Sequence, residues 1–446
     1  MKKNDRVTGI CESYTFDGHG VVKINGFPLF VKGILKGEEA EIVITKLKKT
    51  YGFGKWVRLL QESKERVEPM CSLAKQCGGC QLQHMSLKEQ KAFKKQRVED
   101  VLRRIGGIDV RVEDVLSMEE PFFYRNKGQI PIQEHVGEVK MGFYRIHSNE
   151  VVDMDECPIQ SRRINEVVKE VRSLFKQYPI ASYFRHILVK HAFSNDQIMV
   201  VLIARQRDIP KIKALVQELV ARIPNIKSVL LQVNKREDNV ILGDEEYLLY
   251  GSDRIVDKLQ NLSFQISSRS FYQVNPVQTE VLYGKVLEFA RLQGTETVLD
   301  LYCGVGTISM FLAQKAKSVI GIEVVPEAIE DAKMNAYMNG IENISFICSD
   351  AARYATQVSE EGQKIDVVVV DPPRKGCDEE TLQSIARMDP KRLVYVSCDP
   401  ATLARDLKVL GQLGFKVEKV QPVDMFGQTY HVETIVLLSK VNISKR

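Results

Sequence analysis

From about residue 263 onward the chain alternates short, almost wholly apolar runs with stretches of helical spacing, and few folds accept that grammar. The runs are Thr297 to Tyr302, Ser318 to Glu323, Ile344 to Ile347, Ile365 to Val370 and Arg392 to Val396. Each is too short for a buried helix, and strands covered on both faces read in this continuous way. Strand–helix alternation builds a doubly wound parallel sheet, which binds ligands outside the carboxyl ends of its strands. Two further strands, Lys416 to Gln421 and Val432 to Leu438, are predicted to run antiparallel at the end of the chain.

With 446 residues the chain exceeds what one hydrophobic core usually organises. Residues 1–60 read as short strands. Val21 to Ile24, the Asn25-Gly26 turn signal and Leu29 to Val31 predict a hairpin, and Glu41 to Leu47 is another alternating stretch. A small barrel of the oligonucleotide-binding type is expected there. Residues 61–262 are expected to form a mixed α+β central domain, strand-rich at His186 to Phe193 and Ile198 to Ala204. A helix over about 86–105 starts at a capping box, Ser86 and Glu89. It carries the stripe Val98, Val101, Leu102 and Ile105, and ends at Gly106-Gly107. It is expected to pack on the C-terminal domain, residues 263–446.

Net charge is only +5, so its distribution carries the information. Between Ile42 and Gln61 there is no acid, while Lys46, Lys48, Lys49, Lys55 and Arg58 interleave with Tyr51, Phe53 and Trp56. A second basic run holds Lys88, Lys91, Lys94, Lys95, Arg97, Arg103 and Arg104. Either run alone reads equally well as solvated surface. Together, one of them bearing rings that can stack on bases, they point to a polyanionic partner. No run approaches the roughly 18 apolar residues of a bilayer span. The opening Met-Lys-Lys-Asn-Asp-Arg lacks the apolar segment of a secretory signal, so a cytoplasmic location with no membrane partner is expected.

The first strand of the C-terminal sheet runs into Asp300-Leu301-Tyr302-Cys303-Gly304-Val305-Gly306-Thr307. Gly304 and Gly306 let the backbone approach a nucleoside at the strand's end. Glu323 ends the second strand, placed to accept ribose hydroxyls, and Asp350 follows the third, where an adenine amino group would lie. A dinucleotide fingerprint wants a third glycine where this chain has Ser309, and a pyrophosphate wants donors rather than Asp300. The methyl donor S-adenosylmethionine, which has no phosphate, fits better.

The fourth strand ends in Asp371-Pro372-Pro373-Arg374, a rigid mouth whose carboxylate could accept a hydrogen bond from a ring N–H. The fifth ends in Ser397-Cys398-Asp399-Pro400. Methylating an amine needs no thiol, whereas carbon 5 of a pyrimidine is a poor nucleophile until a thiolate adds to carbon 6. The carbon 5 proton must afterwards be removed by a base. His431 and Glu433, expected on one face of the last strand, are both candidates for that base.

Nine cysteines in such a chain argue against a disulfide framework. Cys71, Cys77 and Cys80, joined by distant Cys157 before Pro158, give four thiols on loops that suit zinc or an iron–sulfur cluster.

Phe271-Tyr272-Gln273-Val274-Asn275, Asp300 to Thr307, Asp371 to Gly376, Val396-Ser397-Cys398 and His431-Val432-Glu433 resemble the motifs of the RNA uracil-5-methyltransferases. The resemblance spans essentially the whole chain. It implies a Rossmann-like methyltransferase domain, an N-terminal barrel similar to a TRAM domain, Cys398 as nucleophile and Glu433 as base. Gln273, Tyr302, Gly304, Gly306, Thr307, Glu323, Asp350 and Asp371 would hold S-adenosylmethionine or the base. Within the family it points to the branch acting on 23S ribosomal RNA, whose [4Fe-4S] cluster would be held by Cys71, Cys77, Cys80 and Cys157. The target would be a looped or flipped-out uridine, and no obligate protein partner is expected. Methylation of tRNA or of cytosine is the enzymatic alternative. A non-enzymatic RNA-binding or redox protein would not need both Cys398 and Glu433. Two positions depart from the family pattern: Asp399 stands where Asn is common and Gly427 where Pro is common.

Overall fold

The computed structural model describes residues 1–135 and 137–441. Strands β1 (Arg6–Tyr14), β2 (Gly20–Ile24), β3 (Phe27–Val31), β4 (Glu39–Leu47) and β5 (Gly52–Gln61) close a barrel in the order β1-β2-β3-β5-β4. Asn25 and Gly26 both take positive φ, 49° and 80°, as the tight turn between β2 and β3 requires. Val22, Leu29, Val31, Ile42 and Ile44 fill the barrel.

Helix α1 (Leu87–Val101) follows the cysteine loop, and Ser86 Oγ accepts the Glu89 N–H at 3.2 Å. The second half of the expected capping box does not form. The Glu89 carboxylate accepts the Tyr14 hydroxyl at 2.6 Å instead, tying the helix to the barrel. Tyr14 also meets Phe93 edge-on, with ring centres 5.6 Å apart. One π turn, Leu102–Gly106, extends the helix, and Gly107 ends it at φ 65°. Val98 and Leu102 are buried with Leu403, Ala404 and Leu407 of the C-terminal region.

The central sheet comprises β6 (Lys127–His135), β7 (Glu138–Tyr144), β8 (Val151–Asp153), β9 (Phe184–His191), β10 (Ile198–Ala204), β11 (Ile226–Val233) and β12 (Glu245–Gly251), in the order β12-β11-β10-β9-β6-β7-β8. Helices α2 (Arg162–Gln177) and α3 (Ile212–Arg222) bury their apolar stripes on it. A hairpin, β13 (Arg254–Leu259) and β14 (Leu262–Ser267), follows. Its Ile255, Phe264 and Ile266 pack with Leu282, Tyr283 and Phe311, so residue 263 falls inside a unit that already belongs to the C-terminal core.

That core surrounds β15 (Thr297–Leu301), β16 (Ser318–Glu323), β17 (Ile344–Cys348), β18 (Val367–Val370), β19 (Arg392–Ser397), β20 (Phe415–Val423) and β21 (Glu433–Lys440). They are ordered β17-β16-β15-β18-β19-β21-β20, with β21 antiparallel to both neighbours. The strands alternate with α4 (Pro276–Ala290), α5 (Thr307–Ala313), α6 (Pro326–Met338), α7 (Ala351–Glu360), α8 (Glu379–Met388) and α9 (Pro400–Gln412). Val367 and Val369 of β18 face one apolar layer, Val368 and Val370 the other, which explains their unbroken apolar run. The strand order reverses between β15 and β18, the switch point where such sheets open a crevice. The last strand begins at Glu433, so His431 lies in the preceding turn rather than on a shared strand face. Among the described residues no helix is long and apolar enough to cross a membrane.

Candidate active site

The loop leaving β15 reverses direction through three residues of positive φ: Tyr302 at 67°, Gly304 at 55° and Gly306 at 78°. A Cβ on Gly306 would lie 2.7 Å from the Phe346 ring, whereas above Gly304 there is open space. Glu323 braces the loop from β16, accepting the Gly304 N–H at 3.1 Å on one oxygen and those of Val324 and Val325 at 2.9 and 3.0 Å on the other. One lone pair remains for a ribose hydroxyl. Asp350 spends one oxygen capping α7, at 3.0 Å from the Ala352 N–H. Thr307 Oγ1 lies 2.9 Å from the Tyr283 hydroxyl. Gln273 lies in the strand-free lead-in to α4, its carbonyl accepting Asn126 Nδ2 at 2.9 Å. Asp300 is fully buried. Ser309 bonds one of its oxygens, and the other has no partner among the described residues. Burial, aided by the charges of Asp371 and Glu323 and opposed by Ser309, pushes its carboxyl up to about 7.

Asp371 leaves β18 into a loop closed by the Gly376 N–H on Pro373 O at 2.8 Å. Asp406 of α9 clamps that loop, accepting the Cys377 N–H at 2.9 Å and the Tyr395 hydroxyl at 2.6 Å. Cys377 is buried in the apolar layer that also holds residues of α8 and α9. Cys398 follows β19 directly. Asp399 caps α9 through the N–H groups of Ala401 and Thr402 at 2.9 and 3.2 Å, a task Asp and Asn perform equally well. Its replacement of Asn is therefore structurally neutral.

Register brings Cys398 and Glu433, the expected nucleophile and base, together. Ser397 pairs with Thr434 in the antiparallel β19–β21 ladder, so the next step places Cys398 across from Glu433. The electrostatics agree. Burial, then the charges of Glu433 and Asp371, push the Cys398 thiol up to about 11, with Arg374 pulling the other way. Burial and Asp371 raise Glu433 to about 8, again opposed by Arg374. Burial raises Asp371 to about 7. His431 goes the opposite way, to about 4, through burial and the nearby cations Arg374, Arg97 and Lys94. Its ring lies against Tyr430 at 4.3 Å, and so weak a base is poorly suited to a carbon-bound proton.

The second basic run is divided: part of it is engaged within the protein, while Lys88, Arg103 and Arg104 keep mostly exposed side chains. Lys94 is fully buried on Asp424, Arg97 donates to Tyr430 O at 2.6 Å, Lys88 pairs with Glu65 and Lys95 with Asp114. Lys94 and Arg97 are residues that sequence reasoning missed. Their one signal was polar side chains in phase with an apolar helix stripe. The first run matches its expectation better. Phe30, Tyr51 and Phe53 form a half-exposed ring cluster, Phe30 stacked on Tyr51 at 5.3 Å, beside exposed Lys46, Lys48, Lys49 and Lys55.

The four loop cysteines approach one another closely enough for burial and mutual repulsion to push Cys80 up to about 12 and Cys157 to about 11. All are free thiols. Among the described residues, however, no group of three or more His, Cys, Asp or Glu is gathered tightly enough to hold a metal ion. The expected site is thus not preformed. The donors are of the right kind, and half-buried thiols have no reason to close into ligand geometry until a metal draws them together.

The profile of the tRNA (uracil-5-)-methyltransferases matches residues 86–441, and that of the TRAM domain matches residues 10–57. An uncharacterized RNA methyltransferase of Clostridium tetani is 47% identical over 454 residues, covering 100% of this chain and 99% of its own. One from Bacillus cereus is 48% identical, covering 99% and 98%. The crystal structure of the Pyrococcus abyssi tRNA (uracil-54, C5)-methyltransferase with S-adenosyl-L-homocysteine superposes with a TM-score of 0.77 at 26% identity, over 97% of this chain and 100% of that one.

Proposed function

The chain belongs to the tRNA (uracil-5-)-methyltransferase family, an S-adenosylmethionine-dependent RNA methyltransferase with an N-terminal TRAM barrel, and from that premise we propose a covalent mechanism centred on Cys398 and Glu433. The observation that carries it is the β19–β21 register, which sets Cys398 across from Glu433 beside Asp371. Cys398 adds to carbon 6 of a uracil. Carbon 5, now enolate-like, accepts the methyl group supplied by S-adenosylmethionine. Glu433 removes the carbon 5 proton, the C5–C6 double bond re-forms and the thiolate leaves. Asp371 would hold the ring N3–H. Gln273, Tyr302, Gly304, Gly306, Thr307, Glu323 and Asp350 would contact the donor or base. The open space above Gly304 and the spare lone pair of Glu323 support that assignment.

The proposed substrate is a uridine of 23S ribosomal RNA, and Cys71, Cys77, Cys80 and Cys157 would hold a [4Fe-4S] cluster. Supporting this is the convergence of four free thiols on loops, in a pattern that resembles the ribosomal branch. Methylation of tRNA is a second reading with an observation of its own. The Pyrococcus abyssi enzyme, which its description assigns to tRNA, aligns with 97% of this chain, so most of the barrel is common to both. The barrel alone therefore does not discriminate ribosomal from transfer RNA.

Transfer of labelled methyl to unmodified 23S ribosomal RNA and tRNA transcripts, followed by nucleotide mapping, decides between them. RNA carrying 5-fluorouridine should trap the wild type as an adduct that survives denaturing electrophoresis, because fluorine cannot leave as a cation. Cys398→Ala should form none. An adduct that persists in Cys398→Ala would defeat the assignment.

A further inference from the structure

The turn between β20 and β21, residues 424–431, delivers Glu433 to the site. Its carbonyls are held from outside almost one by one. Gln278 Nε2 reaches Asp424 O at 3.1 Å, Asn275 Nδ2 reaches Met425 O at 3.0 Å, and Lys94 Nζ reaches Phe426 O at 3.1 Å. The Tyr124 hydroxyl reaches Gly427 O at 2.9 Å. The Gln81 and Leu82 N–H groups reach Gln428 O at 3.1 and 3.0 Å, and Arg97 reaches Tyr430 O at 2.6 Å. Side chains add to this. The Gln90 amide donates to Gln428 Oε1 at 3.0 Å and accepts the Gln428 N–H at 3.2 Å, while Lys94 is paired with Asp424, both fully buried.

Three of these anchors, Gln90, Lys94 and Arg97, line up on α1, more than 320 residues away in sequence from the turn they hold. Folding alone does not require this. Water satisfies an exposed turn without cost, and a buried Lys–Asp pair is often no more stabilising than apolar residues of the same shape. What such groups secure is placement. Cys398 is anchored differently, through the Ser397 hydroxyl and the Asp399 cap of α9. The polar contacts that hold the turn are thus different from those that hold Cys398, while Val98 and Leu102 of the same helical segment pack on α9.

We propose that Gln90, Lys94 and Arg97 are positioning residues for the elimination step, holding the turn so that the Glu433 carboxylate meets the carbon 5 proton. The inference rests on the reading that Glu433 is the base. In that step the proton passes to Glu433, the C–H electron pair becomes the C5–C6 double bond, the C6–S bond breaks and its pair leaves on Cys398. Attack and methyl transfer precede it and depend on β19 and α9. Removing the polar contacts to the turn, with the Val98 and Leu102 packing on α9 kept, should therefore slow product release while leaving adduct formation in place.

The test uses the full-length protein, labelled S-adenosylmethionine, and whichever unmodified transcript, 23S ribosomal RNA or tRNA, the wild type methylates. Arg97→Met and Gln90→Leu should lower turnover by roughly tenfold or more, the scale of a modest misplacement of a reacting group. Both should accumulate a methylated RNA–protein adduct on denaturing gels, with donor affinity within about twofold of wild type, because the residues assigned to the donor follow β15, β16 and β17 rather than the turn. Arg97→Lys, which retains a donor for Tyr430 O, should recover turnover and shed the adduct. If Arg97→Met melts early, Gln90→Leu, which removes no charge, stands in its place. Wild-type turnover in the folded variants, or slow turnover with no adduct, overturns the proposal. The reading beneath it fails separately: Glu433→Gln would then trap no adduct, whatever the α1 variants do.

Discussion

Replacing Glu433 with Gln should stabilise the ligand-free protein, and by an amount that depends on pH in a defined direction. Burial and the Asp371 charge raise this carboxyl from its ordinary 4.5 to about 8. Between those values the folded chain keeps a proton that the unfolded chain has released. Bound protons are then more numerous in the native state, so stability falls as pH rises from 4.5 to about 8 and is level beyond. The difference, 8 minus 4.5, is 3.5 pK units. At ~1.4 kcal/mol per unit this sets a ceiling of ~5 kcal/mol. Asp371, itself raised to about 7, shares the effect, and the two titrate as a pair, so roughly half the ceiling is the expected gain. Glutamine keeps the shape and has no proton to lose. Thermal melts of both proteins at pH 5, 7 and 9 provide the assay, following the transition that S-adenosylmethionine shifts, since several domains need not melt together. The curves should nearly coincide at pH 5, with the variant ahead at 7 and further ahead at 9. An offset independent of pH, or a wild type that is the more stable at pH 9, would refute the reasoning.

A Cβ at Gly427 would sit 2.5 Å from Pro121 Cβ, so Gly427→Ala should cost ~1–3 kcal/mol of stability by overpacking, and Pro121→Gly in the same chain should restore it. The same contact accounts for the departure from proline at 427, and unimpaired melting of Gly427→Ala would dismiss it. Removing Lys48, Lys49 and Lys55 from the barrel should weaken RNA binding and lower the log–log salt slope by roughly 0.7 per lost phosphate contact on a single strand. An unchanged slope would make those lysines ordinary surface. Purified without oxygen, the protein should be brown with about four irons per chain, bleached in Cys77→Ser, as a four-thiolate [4Fe-4S] site requires. Stoichiometric zinc in its place would overturn that assignment.

What could be read in the sequence was local or periodic. The Val367–Val370 run announced a strand covered on both faces, Asn25-Gly26 a tight hairpin, and Ser86 a helix start, because each rests on neighbouring residues. Reading failed where a group's partner lies far along the chain. Glu89 completed the capping pattern on paper, yet its carboxylate is drawn to Tyr14 of the barrel. The cations of α1 looked like an RNA-facing run because nothing near Lys94 marks Asp424 as its partner. His431 and Glu433 alternate like strand residues, but the anchored turn continues through His431, so only Glu433 starts the ladder. The candidate reacting residues were legible for another reason. A parallel sheet must put its chemistry at carboxyl strand ends, and that rule marked Asp371 and Cys398 before any contact was known.

The protonation pattern of the site has a consequence for the order of events. Asp300, Asp371 and Glu433 are all raised into the neutral range or above it, chiefly by burial, and Cys398 is a thiol. Acids that hold their protons up to the neutral range make it costly for a thiolate and a carboxylate base to exist there at once. It is well prepared for a cation, and S-adenosylmethionine carries a sulfonium. Under the proposed mechanism, Cys398 and Glu433 would release protons more readily beside that positive charge, since an opposite charge nearby lowers an acid's pKa. Once the methyl group had moved, the positive charge would be gone, and Glu433 would regain its high proton affinity for the proposed removal of the carbon 5 proton. A base held at a low pKa would be ionised throughout but weak at that moment. Burying Glu433 beside Asp371 costs stability in the resting protein and would make it a stronger acceptor for the proposed step that releases Cys398.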